Sequence, residues 1–189
     1  MIEIIDIFKH SITKIKLKEN LNEIYKFCIH ANKKQIGQIK SNLGGYHSDN
    51  LNIKEPILNT LVNNIELNAN LISKELFKIN IDLKIDSMWF IINKHKDFNL
   101  PHTHTFSKMS GVFYVNVPKD SGDLVFLNDS QIESYLDRPY ISEYSIHNSS
   151  SYFVTPEENT LYLFPSWLTH YVKPNLSKEK RISISFNLN

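Results

Sequence analysis

Residues 81–127 read IDLKIDSMWFIINKHKDFNLPHTHTFSKMSGVFYVNVPKDSGDLVFL. Before this stretch the apolar residues recur every three or four positions, the period of a helix. Within it they fall in short dense runs broken by Gly, Pro, Asn and Ser, the texture of strands and turns. Leu83, Ile85, Met88, Trp89, Phe90, Ile91 and Ile92 predict a long strand over 81–94. Segments 109–117 and 123–127 are the next strands, and 151–154, 160–164, 170–173 and 181–188 follow downstream. All are short and rich in Val, Ile, Tyr and Phe. Six or seven such strands after two helices predict a mainly β fold, a sandwich or open barrel with the helices packed on one sheet.

Upstream, Ile2, Ile4 and Ile5 predict a short strand, and Ile12, Ile15 and Leu17 a second. From 19 to about 39 the pattern is helical, with Leu21, Ile24, Phe27, Cys28 and Ala31 on one face. Gly44-Gly45 marks a turn or a close backbone approach. A second helix is expected from about 55 to 77, with Leu58, Leu61, Val62, Ile65, Ala69, Ile72 and Leu76 as its ladder. Pro56 lies near its start, where a missing N–H costs little. No repeat or linker divides the chain. The expectation is one domain over 1–189, with 1–79 a helical support and 80–189 the β core. The Asn/Ser/Tyr-rich segment 142–151 reads as a loop.

The 189 residues are enough for one sizeable core. Hydrophobic residues at 41% and charged residues at 22% exclude disorder of the whole chain. A formal net charge of +1 gives no global field to attract nucleic acid or a membrane surface. The lone Cys28, in Tyr25-Lys26-Phe27-Cys28-Ile29, reads as a small buried hydrophobe and permits no internal disulfide. The first residues lack the basic-then-apolar pattern of a signal peptide, and no apolar run approaches membrane-spanning length. A cytoplasmic setting is expected.

The chemistry concentrates on histidine. His102-Thr103-His104 presents two imidazoles one residue apart, and side chains so spaced on a strand share a face. His170, on a later strand, can complete a metal site, and Arg181 lies eleven residues beyond it. Iron(II) oxygenases commonly hold their metal with two His and one carboxylate on one face, leaving positions for O2 and a co-substrate. In this chain an imidazole, His104, stands where the carboxylate would be. A neutral three-His set still holds Fe(II), Zn(II), Mn(II) or Ni(II). Asp123 and Asp129 are the alternatives for a carboxylate, ranked below His104 because neither has the strand-end spacing. His10, His30, His95 and His147 read as ordinary residues, and His47 reads first as a structural residue, in a loop that could border a pocket.

The blocks around these histidines resemble one family. Pro101-His102-Thr103-His104 leads into Ser110-Gly111-Val112-Phe113-Tyr114-Val115. Leu163-Phe164-Pro165-Ser166-Trp167-Leu168-Thr169-His170 and Arg181-Ile182-Ser183-Ile184-Ser185-Phe186-Asn187 follow. With Gly44-Gly45-Tyr46-His47-Ser48, they resemble the 2-oxoglutarate/Fe(II)-dependent oxygenases of the H-x-H…SGVYYV…FPSWLxH…RISxxFN type, over roughly 40–189. The resemblance implies a double-stranded β-helix, or jelly roll, with Fe(II) on His102, His104 and His170. It implies 2-oxoglutarate as co-substrate, gripped by Arg181 and Ser183, with Tyr114 able to donate to the same carboxylate. It further implies O2 as oxidant and hydroxylation of a small molecule or protein side chain. Nucleic acid and membrane are disfavoured as partners, and exposed strand edges leave room for a homodimer. Two other readings stay open at this point: a cupin-like three-His dioxygenase or isomerase that does not use 2-oxoglutarate, and a non-catalytic jelly-roll binding module.

Overall fold

In the computed structural model the described residues are 3, 10–34, 36–128 and 141–189. Ile2, Ile4 and Ile5, where a first strand was expected, lie outside them, as does Asp129. Eleven strands among the described residues form two antiparallel sheets. The six-stranded sheet has the order β1 (Thr13–Lys16), β9 (Thr160–Pro165), β6 (Met109–Asn116), β11 (Arg181–Leu188), β4 (Ile85–Asn93) and β3 (Tyr46–His47). The five-stranded sheet runs β2 (Asn42–Leu43), β5 (Phe98–His102), β10 (His170–Val172), β7 (Leu124–Leu127) and β8 (Ser151–Val154). This is the expected jelly roll, a mainly β fold with helices on one sheet. The first eighty residues supply strands to both sheets as well as the helices.

Two helices cover the outer face of the larger sheet. Helix α1 (Leu21–Asn32) is capped by Asn20, whose side-chain oxygen accepts from the Glu23 N–H at 3.4 Å. It ends earlier than the apolar pattern predicts. Gly37 takes a φ of +83°, which turns the chain back so that Gln38 bridges to His47 in an isolated β-pair. A Cβ at Gly37 would meet the Tyr46 ring at 2.6 Å, so a side chain there is excluded by space as well as by φ. Pro56–Leu58 form one 3₁₀ turn leading into α2 (Asn59–Glu75). Ile24 and Cys28 of α1 join Leu61, Ile65 and Ala69 of α2 in one core with Met88, Phe90, Phe113, Ile184 and Phe186 from the sheet. Burial pushes the Cys28 thiol up to about 12, which leaves it inert at neutral pH.

Strand β11 shows how the sequence builds both faces. Ile182, Ile184, Phe186 and Leu188 point to the helices, and all are fully buried in that core. Arg181, Ser183, Ser185 and Asn187 point the other way, into a cleft between the sheets. Strand β6 alternates likewise, with Phe113 and Val115 in the helix-side core and Val112 and Tyr114 between the sheets. Strand β5 has no strong apolar pattern (FNLPH) and was signalled only by the H-x-H spacing at its end; it forms by pairing with β10 and β2. Strands β2 and β3, two residues each, flank Gly44-Gly45, which makes the expected turn. Among the described residues no helix is long and apolar enough to cross a membrane.

Close approach at Gly111 sets the sheet's centre. A Cβ there would lie 2.5 Å from both the Phe186 ring and the Tyr162 carbonyl oxygen. Gly111→Ala is therefore expected to destabilise the fold by about 1–3 kcal/mol, read as a lowered midpoint of thermal unfolding. An unchanged midpoint would mean the three strands can separate at no cost.

Candidate functional site

The sheets open onto a cleft of ≈ 650 Å³. Its wall is formed on one side by the polar faces of β4 and β11, and on the other by β5, β7 and β10. His102 closes β5 and sits directly opposite His170, the first residue of β10. His104 lies two residues past the strand end, so the pair is not carried on one strand as its spacing predicted. The loop is fixed instead by the His104 N–H, which donates to the Ser166 carbonyl at 2.9 Å. That tie brings the His104 Nε2 to 3.3 Å from the His170 Nε2. The ligand atoms of His102, His104 and His170 all lie within 4.8 Å of one another.

Backbone carbonyls set the tautomers. The Nδ1 of His102 is 2.7 Å from the Leu100 carbonyl, and that of His170 is 2.8 Å from the Leu168 carbonyl. A carbonyl only accepts, so both Nδ1 atoms carry the proton and both Nε2 atoms present a lone pair. Burial and neighbouring imidazoles keep the three neutral. Desolvation lowers the His102 pKa, takes His104 down to about 4 with help from His102, and takes His170 down to about 3.

Arg181 is 1% exposed and sits at the other end of the cleft wall. It lies in the central strand of the larger sheet rather than on an edge. Its Nη1 donates to the carbonyls of Ser121, Gly122 and Lys173, and its Nη2 to the Asn93 Oδ1 at 2.9 Å. Among the described residues it forms no ion pair, and the N–H groups left on Nη2 and Nε meet no acceptor. All its hydrogen bonds go to neutral groups, with the Asp97 carboxylate acting on it only without contact, and a guanidinium so held, away from water, is a strong attractor of an anion. Ser183, two residues along, faces the same space and is paired in register with Tyr114 on β6. Tyr114 is fully buried, and burial pushes its phenol well above the ordinary range, so the hydroxyl stays protonated and able to donate.

Of the two carboxylate alternatives, Asp129 lies outside the described residues and Asp123 does not reach this centre. Asp123 pairs with Lys173 at 2.9 Å and accepts from Thr155 at 3.1 Å, and it does not line the cleft. His47 does line it, stacked on Trp89 with centroids 5.4 Å apart. His10, His30, His95 and His147 stay out of the cluster. The sequence reading missed Asn93, which positions Arg181, and the cleft-facing role of Trp89. Both sit at alternate positions of β4 (Ser87, Trp89, Ile91, Asn93), a period hidden because the intervening residues and Ile91 are apolar too.

A jelly roll with three imidazoles at one end of a cleft and a buried, unpaired arginine in its wall defines a metal-dependent oxygenase-like architecture. Residues 87–187 match the family described as "Putative 2OG-Fe(II) oxygenase", and the chain belongs to that family. It is thus an oxidoreductase that uses Fe(II) and 2-oxoglutarate. No curated protein sequence matches the chain. Among solved structures it is similar to a Pseudomonas putida prolyl-4-hydroxylase, at 15% identity and a TM-score of 0.69, covering 95% of this chain and 92% of that one. It is also similar to HygX from Streptomyces hygroscopicus with nickel and 2-oxoglutarate bound, at 12% identity, TM-score 0.64 and coverages of 95% and 83%. A third is the viral collagen prolyl hydroxylase of Paramecium Bursaria Chlorella virus-1 in complex with 2OG, at 11% identity, TM-score 0.61 and 94% coverage of both chains. At these identities the likeness is one of fold.

The donors present fit the ferrous ion that the family uses. Nitrogens each about 2.1 Å from a metal lie about 3.0–3.4 Å apart at octahedral or tetrahedral angles, and the His104–His170 separation falls in that range. In the metal-free protein the same histidines confer acid sensitivity. Their pKa values are lower folded than the usual value of about 6.5 for an unfolded histidine, so below that pH the folded state binds fewer protons. Their contribution to stability is complete above about pH 6.5 and is lost as pH falls toward about 3. Thermal melts of metal-free protein are expected to fall over this window, with a shallower fall in His170→Gln. An identical slope in the variant would refute burial as the cause.

Proposed function

We propose that the cleft hydroxylates a C–H bond of a bound substrate, with His102, His104 and His170 holding Fe(II) and Arg181, Ser183 and Tyr114 holding 2-oxoglutarate. The observation that carries this reading is Arg181, a buried cation bonded to no carboxylate among the described residues, in the same cleft as the imidazoles. Fe(II), when bound, couples oxidative decarboxylation of 2-oxoglutarate by O2, giving succinate and CO2, to oxidation of the substrate.

The protein's part is positioning and exclusion of water. The Leu100 and Leu168 carbonyls hold two imidazoles in the tautomer that offers Nε2 to the metal. Ser121, Gly122, Lys173 and Asn93 lock the Arg181 fork so that its free N–H groups are pre-aimed at an incoming carboxylate. The Ser183 and Tyr114 hydroxyls add neutral donors beside it. Val112 and Leu124 line the cleft and Phe164 packs on His170, with centroids 4.7 Å apart, and these apolar side chains strengthen each polar contact beside them. The arginine also separates this reading from a cupin-like site, which has no need of an unpaired buried cation. The whole chain acts as one domain, because the outer cleft wall comes from residues 38–50 and the metal ligands from the later strands. A reducing, cytoplasmic setting is supported by the single, buried and inert thiol.

Protein supplied with Fe(II), ascorbate and 2-oxoglutarate is expected to release succinate. His104→Ala and His170→Ala should each abolish this and lower metal occupancy. Ser183→Ala should raise the KM for 2-oxoglutarate about tenfold, the worth of one hydrogen bond to a charged group. No succinate from folded, iron-loaded protein would defeat the reading. Full metal occupancy in His104→Ala would move the third ligand elsewhere.

A further inference from the structure

The cleft has an unusual charge balance. Not one Asp or Glu lines it among the described residues, whereas Lys40 and Arg181 both do. Metal-bound imidazoles are neutral, so a three-His set leaves both positive charges of a ferrous ion uncompensated, where a carboxylate ligand would remove one. Bound 2-oxoglutarate supplies two negative charges against the metal's two and the one on Arg181. One positive charge remains at the centre, and Lys40 adds another at the rim. Among the described residues Lys40 is exposed and forms no ion pair; both it and Asp49, which is bonded to Gln38 behind the lining, act on the charge of His47 in opposite senses, but only the lysine lines the cleft. Next to His47, Trp89 lines the cleft with its indole N–H buried and without an acceptor. A buried donor left unmet is destabilising, and a turn of the indole that brings its N–H to an oxygen arriving in the cleft would relieve it.

We propose that the primary substrate is anionic: it carries a carboxylate or phosphate group that binds in the outer cleft, on the Lys40 ammonium and the Trp89 indole N–H. This rests on the assignment of the three imidazoles and Arg181 to Fe(II) and 2-oxoglutarate. The remaining residues of the outer wall, Gln38, Ser41 and Asn50, are neutral hydrogen-bonding groups that repel neither sign. An acidic group meets no like charge anywhere in the described lining. A cationic substrate would face Lys40, Arg181 and the metal together, with no carboxylate in the described lining to meet it; Asp49 and Asp97 act from behind the wall.

The test uses the full chain loaded with Ni(II), which supports binding without turnover, in a Trp167→Phe background that leaves Trp89 as the only indole. 2-Oxoglutarate binding is measured first by calorimetry. With 2-oxoglutarate saturating, acetate and methylphosphonate are then titrated against acetamide, a neutral analogue of acetate, with Trp89 fluorescence as readout. The expected result is saturable binding of at least one anion, about tenfold tighter than acetamide. Lys40→Gln should weaken the anion about fivefold or more while 2-oxoglutarate affinity stays within about twofold. Calorimetry on Trp89→Phe should show a similar weakening of the anion. The preferred anion identifies which group the substrate carries. Equal binding of acetate and acetamide, no binding of either anion, or an anion affinity indifferent to both variants would each overturn the proposal. The last would place the anion on the metal alone. If 2-oxoglutarate itself fails to bind, the co-substrate assignment falls and the charge count falls with it. If 2-oxoglutarate binds without anion preference, only the substrate class is overturned.

Discussion

The alternation of β11 places apolar side chains against the helices and polar ones in the cleft, in a strand covered on both faces. A strand with no solvent side tolerates polar residues only where partners or a ligand meet them. Asn187 meets Ser87 and Ser110, and Arg181 meets three carbonyls and Asn93. Packing and recognition thus occupy opposite faces of the same eight residues. A shift of one residue in register would exchange them, putting Arg181 in the helix core and isoleucines in the cleft. The long pairings to β4 and β6 prevent that shift, so the register of the central sheet is also what aims the arginine.

The two ends of the cleft solve the same problem in different ways. At one end, three titratable rings avoid the cost of buried charge by staying neutral, with carbonyls choosing which nitrogen is bare. At the other, a group that cannot lose its proton is held by backbone dipoles and one amide oxygen. Both arrangements are fixed before any ligand arrives. The backbone around 121–123 and 173–175 takes part directly, since Gly122, at φ +86°, lets its own carbonyl and those of Ser121 and Lys173 crowd round the guanidinium.

Much of this was legible in the sequence, for identifiable reasons. The strands at 109–116, 151–154, 160–165 and 181–188 are dense in β-branched and aromatic residues, and they appear close to where that density lies. The second helix follows its apolar ladder. Strand β5 was not readable from its apolar pattern, because FNLPH has neither alternation nor density and owes its form to its neighbours. The first helix stops short of its apolar pattern because a glycine in the left-handed region turns the chain into a bridge with His47. The H-x-H spacing led to three converging rings, although by a loop tie to Ser166 instead of a shared strand face. Asn93 and Trp89 were hidden inside an almost wholly apolar run. A strand buried on both faces carries no alternation to show which residues face a site.

The outer wall of the cleft is built from very little. Strands β2 and β3 are two residues each, joined through Gly44-Gly45 and tied by Asn42, whose amide donates to the Gly45 carbonyl at 2.8 Å. Each rests on the rim of a different sheet, and neither supplies a residue to the imidazole cluster or to the arginine's cradle. The two glycines between them are nonetheless fixed by space: a Cβ at Gly44 would run into the Asp97 carboxylate, and one at Gly45 would come within 2.7 Å of the side-chain nitrogen of Asn93, whose oxygen holds Arg181. Divergence among descendants of this scaffold should therefore spare these two glycines and fall on the wall residues to either side of them.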